Sequence, residues 1–217
     1  GLFNQALSGS LDYYHKFIDG MLYQPPYPGV LGEGAYEWYN GASMVNKGFE
    51  LQLSYNSDAA RAFKYSLTGS LAYNSNKVTS VPNTVLYTYG GSALKGDNIV
   101  GHPFHSYYGF ITDGLFTSQD EVDNSPVQPG KGLGRIRYKD LSGPDGKSDG
   151  IIDYNYDQTW LGSSDPKFEF GVGFNAYYKN FDFSMFWQGV AGTTVYDGWK
   201  TYSDFWNVWV QNGFNHP

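Results

Sequence analysis

Apolar and polar residues alternate along five separate stretches of this chain. A period of two is the period of a β-strand, in which successive side chains point to opposite faces of the sheet. The alternation predicts strands over residues 3–17, 47–55, 65–74, 168–176 and 181–188. Aromatic and aliphatic residues dominate one parity of each stretch, and polar residues or glycine dominate the other. The fold is therefore predicted to be an all-β, antiparallel sheet with one apolar and one polar face.

The connections between these strands alternate between short and long. Residues 56–61 and a turn at 178–180 are short links, whereas residues 24–41, 78–166 and 192–217 are long and rich in glycine, proline and aromatic residues. Outer-membrane barrels sort their connections in this way, with short periplasmic turns at one end and long extracellular loops at the other. A soluble sandwich has the same strand period but no reason to sort its loops. The sorting favours a transmembrane β-barrel segment of about five strands, which is a partial barrel.

Composition supports this interpretation and narrows the partners. The 217 residues include 28 glycines and 20 tyrosines, and no apolar run is long enough for a membrane helix. A net charge of −7 argues against nucleic acid, and the absence of cysteine excludes disulfides and thiolate metal sites. Several aromatic residues fall near predicted strand ends, as in the interface girdles of barrels. They are Tyr13, Tyr55, Tyr65, Tyr73, Tyr177, Tyr178 and Phe181.

Four segments, in this order, resemble the SusC/RagA-type TonB-dependent outer-membrane transporters of Bacteroidota. They are SLDYYHKFIDGML (residues 10–22), VNKGFELQLSYN (45–56), GHPFHSYYGFITDGLFTSQDEV (101–122) and residues 135–189, which begin RIRYKDLSGPDGKSDGIID. The resemblance implies that residues 1–217 are an internal part of the latter half of a TonB-dependent receptor barrel. The plug domain of such a receptor is absent from this chain.

The same resemblance implies a function in the outer membrane. The whole protein is expected to import oligosaccharides or oligopeptides without catalysis of its own. Its expected partners are a SusD-like surface lipoprotein, the TonB complex (through parts outside this chain) and outer-membrane lipid. The alternative from a different class is a calcium-stabilised extracellular β-domain that binds glycan or protein as an adhesin does.

The acidic segment 135–162 contains the sharpest candidate for a metal site. Asp145, Asp149 and Asp153 occupy positions one, five and nine of a glycine-rich loop, and calcium prefers such hard oxygen ligands. Lys147 and Tyr156, however, stand at positions three and twelve, where an EF-hand supplies oxygen ligands.

Two alternatives remain open for this segment. One is a ligand set that starts earlier, with Asp140 and Ser142, and the other is a metal-free turn capped by aspartates. Elsewhere, His102 and His105 flank Pro103, which prevents them from sharing a helix face, so they are interpreted as ordinary loop histidines. No phosphate loop, glycosidase carboxylate pair or catalytic triad can be recognised in the sequence. The chain is therefore predicted not to be an enzyme.

Loop aromatics are the remaining candidates for recognition. Exposed aromatic rings can stack on sugars or grip peptide side chains, and the alternative is that they pack the loops against one another. The candidates for ligand or partner contact are Trp38, Tyr107, Tyr108, Trp160, Trp199 and Trp206. Within the longest loop, the aromatic stretch His102–Phe116 is expected to meet the lipoprotein.

Overall fold

The computed structural model describes residues 2–3, 6–23, 38–58 and 60–199. In chain order the strands and the helix are β1 (Leu7–Tyr23), β2 (Tyr39–Asn56), β3 (Phe63–Ser80), β4 (Gly91–Ser92), β5 (Asp97–Asn98), β6 (Ser106–Phe110), β7 (Thr112–Leu115), α1 (Gln119–Asn124), β8 (Ile136–Tyr138), β9 (Gln158–Ser163), β10 (Phe168–Tyr178) and β11 (Phe181–Ala191). A short 3₁₀ turn spans Asn83–Val85. No helix among these residues is long and apolar enough to cross a membrane.

Five long strands form one antiparallel sheet in the order β1-β2-β3-β10-β11. This confirms the all-β, antiparallel prediction and the five predicted strands, although β1 begins at Leu7 and not at residue 3. The first strand continues to Tyr23, beyond the predicted end at residue 17. Its pairing with β2 shifts between Ile18 and Met21, where Gly20 adopts a positive φ of 66°. Such a bulge breaks the period of two, so the alternation fades although the strand continues.

The ends of the sheet differ as the loop lengths predicted. Residues 57–62 join β2 to β3, and Lys179 (φ 54°) and Asn180 join β10 to β11 at the same end. The long connections lie at the opposite end: the one between β1 and β2, of which residues 24–37 are outside the described part, and residues 81–167 between β3 and β10. We call residues 81–167 the excursion.

The excursion has secondary structure of its own. It contains three two-stranded antiparallel sheets, which pair β4 with β5, β6 with β9, and β7 with β8. Helix α1 begins after Ser118, whose hydroxyl accepts a hydrogen bond from Glu121 N. The excursion also contributes most of the deeply buried apolar side chains, namely Val85, Ile99, Phe116 and Ile152. It is therefore a folded unit with a small core.

Candidate functional site

The five-stranded sheet has two chemically distinct faces. We call the parity that carries Leu51, Leu71 and Phe170 the outward face, and the parity that carries Gln52, Ser70 and Gln188 the inward face. The register places Leu11, Leu51, Leu71 and Phe170 side by side across four strands. One residue along, the same four strands present Ser10, Gln52, Ser70 and Gly171.

Two rows of aromatic rings border the outward face. The row nearer the excursion consists of Tyr13, Phe49, Tyr73 and Phe168, which are register neighbours. Its ring centroids lie 5.7 Å apart for Phe49 and Tyr73, and 5.1 Å apart for Tyr73 and Phe168. The row nearer the short turns includes Tyr55, Tyr65, Phe174 and Phe183, whose successive centroids are 5.7, 6.4 and 6.3 Å apart.

The distance between these rows matches a membrane. Tyr65 and Tyr73 are eight residues apart on β3, which corresponds to about 26 Å along the strand. At the strand tilt of about 40° that is common in barrels, the rows are separated by about 20 Å of height, close to the lipid-facing band of about 25 Å. Between the rows, the outward positions of the five strands carry no charged residue. This face has the pattern of a lipid-facing wall.

The inward face is polar and concave. One shallow concavity of about 470 Å³ is lined mainly by hydroxyl, amide and glycine residues of β1, β2, β3 and β10, and β11 contributes Phe186. Phe186 is the exception in its chemistry, since it is an aromatic side chain that is 67% exposed on this face. A Cβ on Gly171 would lie 3.3 Å from the Phe186 ring, so the ring rests over glycine backbone. An exposed aromatic side chain therefore stands in a concavity lined mainly by hydrogen-bonding residues and glycine.

The excursion packs against the inward side of the sheet at its long-loop end. Asn76 and Val78 share the inward parity of β3, and both are buried. Val78 N donates to His102 O (2.9 Å), and Gly101 N donates to Val78 O (2.8 Å). A cavity there is lined by side chains of β1–β3 together with Val85, Tyr89, Ile99 and Phe104. The excursion therefore covers the mouth side of the inward face.

A cluster around Trp160 organises the excursion beside β3. Trp160 Nε1 donates to Asp97 Oδ1 (2.8 Å), and the His102 ring stacks on the indole at 4.3 Å. Tyr108 meets the same indole edge-on at 4.9 Å, and its buried hydroxyl lies near Asp97 without making a hydrogen bond. Burial, reinforced by the negative charge of Asp97, raises the pKa of Tyr108 to about 12. Burial also lowers the pKa of His102, against the opposing influence of Asp97.

Two candidates from the sequence, Tyr108 and Trp160, thus come together as a packed pair. Tyr107 lies apart from them, with its ring 6.5 Å from that of Tyr196. Trp38 and Trp199 are exposed (62% and 82%), whereas Trp206 lies outside the described residues. The expected role of these aromatics in ligand or partner contact stays a prediction.

The acidic segment is a set of capped turns. Asp149 Oδ1 accepts from Ile151 N (3.0 Å), and Asp153 Oδ1 accepts from Asn155 N and Tyr156 N (2.7 and 2.9 Å). Within the described part of the chain, no three His, Asp or Glu side chains form a group suited to a metal ion. Asp145, Asp149 and Asp153 therefore do not converge as the spacing predicted, and calcium binding at this segment stays a prediction.

The residue at the centre of this segment is Asp157, which the ligand set from the sequence omitted. Asp157 is fully buried and accepts backbone hydrogen bonds from Leu141 N, Ser142 N and Asp153 N. Three backbone donors stabilise a buried carboxylate without a cation. Asp140 Oδ2 accepts similarly from Gly150 N, while its Oδ1 is buried without a partner in the described residues. Nothing in the spacing of the aspartates distinguishes the buried one.

The two loop histidines, interpreted from the sequence as ordinary loop residues, make different contacts. His102 stacks on Trp160, whereas His105 Nδ1 is hydrogen-bonded to Asp165 Oδ1 (2.8 Å). Asp165 also accepts from Asn76 Nδ2 (2.7 Å), and Asn76 Oδ1 accepts from Phe104 N (2.8 Å). These hydrogen bonds among Asn76, Phe104, His105 and Asp165, which we call the clasp, join two distant parts of the excursion to β3.

Comparison with known proteins places these features in a family. Residues 2–112, about half of the chain, match the family described as TonB dependent receptor-like, beta-barrel. TonB-dependent receptor P26 of Formosa agariphila is 30% identical over 200 residues, covering 90% of this chain and 20% of that protein. TonB-dependent receptor P3 of the same organism is 24% identical over 201 residues, covering 89% of this chain and 19% of that protein. The chain thus spans about a fifth of the length of these relatives.

Solved structures agree on the fold. The RagAB peptide transporter superposes with a TM-score of 0.63 at 18% identity, covering 88% of this chain and 20% of that chain. The RagAB peptide importer in its open-open state gives a TM-score of 0.61 at the same identity. The two-faced sheet, the sorted loops and these matches lead to one conclusion: the chain belongs to the TonB-dependent receptor-like β-barrel family.

Proposed function

We propose that this chain forms a section of the wall and mouth of an outer-membrane importer of oligomeric nutrients. One observation carries the proposal: the same five strands present an uncharged face bordered by aromatic rows and a polar face covered at one end by the excursion. Such a sheet separates lipid from an aqueous passage. The clasp then fixes the excursion over the passage, where incoming solutes must pass it.

The substrate class is proposed as oligosaccharides or oligopeptides. The structurally similar RagAB proteins are a peptide transporter and a peptide importer. On the inward face, Phe186 offers a ring for stacking, and Gln52 and Ser70 offer hydrogen-bonding groups in the same concavity. Aromatic stacking combined with hydroxyl and amide groups suits sugar rings and peptide side chains alike.

The partners are proposed to be a SusD-like surface lipoprotein and the TonB complex. Support for the lipoprotein comes from the size of the excursion, whose ordering costs entropy that contacts elsewhere must offset. Its exposed apolar side chains, such as Leu115, Val127 and Tyr154, are available for such contacts. The TonB complex would act through parts of the protein outside this chain.

The experiment measures membrane fractionation and solute uptake for a protein of the length found in the relatives. The protein should require detergent for extraction from the membrane and should take up labelled oligosaccharide or oligopeptide. Phe186→Ala should lower that uptake. Phe183→Ala, on the outward face, is the matched control and leaves uptake unchanged. A protein that stays soluble without detergent and still binds glycan would instead be the adhesin-like alternative.

A further inference from the structure

Two lysines stand on the outward face just beyond the aromatic row nearer the excursion. Lys47 is two residues beyond Phe49 on β2, and Lys77 is four residues beyond Tyr73 on β3. The register places Lys47 opposite Ser75, so that Lys47 and Lys77 are diagonal neighbours on adjacent strands. Diagonal neighbours of this kind are about 7–8 Å apart, within reach of long side chains.

Both lysines are exposed, and neither forms an ion pair in the part of the chain that the structure describes. Asp97, which accepts from Trp160 Nε1, keeps its charge but forms no ion pair with either lysine. Two like charges at this separation, neither of them engaged in an ion pair, favour an anionic ligand between them.

The height of the lysines identifies where that anion lies. Lys47 is about 7 Å along its strand from Phe49, which at a barrel tilt is about 5 Å of height above the aromatic row. The polar headgroup layer on each side of the hydrocarbon core is about 5–7 Å thick. Lys77 lies higher, but a lysine side chain reaches back toward the interface by extending its alkyl stem. The ammonium groups therefore lie at the level of lipid phosphates.

The position of the long connections indicates on which side of the membrane the two lysines lie. The lysines lie at the end of the sheet that carries the excursion, and long connections of outer-membrane barrels are extracellular. We propose that Lys47 and Lys77 form a docking site for the phosphate groups of an anionic lipid in the outer leaflet. This inference rests on the proposed membrane setting and adds a lipid partner of defined chemistry to it.

The test uses the protein at the length of its relatives, purified in detergent and titrated with a phosphorylated glycolipid and its dephosphorylated form. Native mass spectrometry counts the bound lipid. The variant is Lys47→Gln with Lys77→Gln, and the matched control is Lys16→Gln with Lys64→Gln, which removes two inward-face lysines from the same sheet. A basic residue near an anionic surface contributes about fivefold in affinity, so the variant is expected to lose about 25-fold.

The outcomes separate the inference from the membrane setting. The control should bind as the unchanged protein does, and the dephosphorylated lipid should bind no better to the unchanged protein than to the variant. Equal binding of the phosphorylated lipid to variant and unchanged protein overturns the inference, as does an equal loss in the control. Competition by millimolar inorganic phosphate would also overturn it, because the site would then recognise free phosphate. A failure of the unchanged protein to insert into bilayers would instead refute the proposed function.

Discussion

Asn76 and Asp165 are 89 positions apart, and their side chains form a 2.7 Å hydrogen bond from Nδ2 to Oδ2. Asn76 belongs to β3, and Asp165 lies immediately before β10, so the bond closes the base of the excursion. Asp165 also binds His105 through Oδ1, and Ser163 Oγ donates to His105 O (3.1 Å). A long loop held at its base keeps its tip in a defined position over the inward face.

Asp165→Ala should loosen the base of the excursion. The substitution leaves the buried Asn76 amide without its acceptor, and an unsatisfied buried donor costs about 1–3 kcal/mol. Amide hydrogen exchange should accelerate at residues 101–105 and 163–167 while the strands of the large sheet keep their protection. Asp182→Ala, at an exposed position of β11, is the control and should change neither region. Unaltered exchange in the Asp165 variant would show that backbone pairing alone holds the loop.

Charge placed on the outward face should impair membrane assembly. Leu51→Arg and Leu71→Arg each put a guanidinium into the lipid-facing band, at a cost of about 2–4 kcal/mol near the midplane. Gln52→Arg and Ser70→Arg, one residue away on the inward face, should be tolerated. The measurement is the folded fraction after refolding into lipid vesicles over a urea series. Equal sensitivity on both parities would identify two buried faces and contradict the barrel wall.

The wall was predictable because its information is local. Alternation over eight to fifteen residues identifies a strand and both of its faces, and loop length identifies the ends. The prediction from alternation stopped short of Asp19 and Gly20, because a bulge there changes which parity faces outward. Helix α1 was not predicted because six residues do not complete two turns and give no periodic signal.

The interior of the excursion was less predictable because its contacts join distant residues. Trp160 binds Asp97, and Ser92 Oγ donates to Asn155 O, each across 63 positions. Neither pair belongs to a repeat or a motif with fixed spacing. Asp157 illustrates the limit, since five aspartates of similar setting differ in burial only once the chain is folded. A single sequence therefore indicates that this segment matters without indicating which carboxylate is central.

The Trp160 cluster should loosen at high pH. Because the pKa of Tyr108 is raised to about 12 in the folded protein, from 10.0 for an unperturbed tyrosine, the unfolded segment loses its proton first. Stability from this group is therefore complete below pH 10 and declines as the pH rises toward 12. Tryptophan fluorescence and tyrosinate absorbance should change over that range.

Tyr108→Phe separates ionisation from packing in that experiment. The Tyr108 hydroxyl has no hydrogen-bond partner among the described residues, so its removal should be neutral or stabilising near pH 7. The variant should keep the cluster ordered to higher pH than the unchanged protein. Identical alkaline transitions in both proteins would assign the effect to other tyrosines.

Chelation tests the acidic segment directly. If Asp145, Asp149 and Asp153 bind calcium, a chelator should accelerate proteolysis between Lys139 and Trp160, because removal of the ion would loosen the turns that its ligands hold together. The turn caps of Asp149 and Asp153 and the buried Asp157 persist without metal, so a metal-free segment should be cleaved at the same rate with and without chelator. Asp157→Asn serves as the positive control, since it weakens the three backbone hydrogen bonds and should increase cleavage in either condition.

The contact with the proposed lipoprotein is best tested at Leu115. The stretch His102–Phe116 was expected to meet the lid, but its deletion would remove β6, which pairs with β9, and Phe116, which is 1% exposed. A loss of binding after that deletion would therefore reflect unfolding of the excursion. Leu115 is 52% exposed at the end of β7, so Leu115→Glu changes the surface and keeps the pairing of β7 with β8.

Leu115→Glu should reduce co-purification of the lipoprotein, because a carboxylate buried in an apolar interface without a partner loses its hydration. The loss of one central apolar contact corresponds to about tenfold or more in affinity. Leu133→Glu is the matched control: Leu133 is 57% exposed in the same excursion but lies outside the stretch expected to meet the lid. If both variants retain the lipoprotein in full, the stretch is not a docking element. If only Leu133→Glu loses it, the lid docks farther along the excursion, around Leu133, and not at the stretch 102–116.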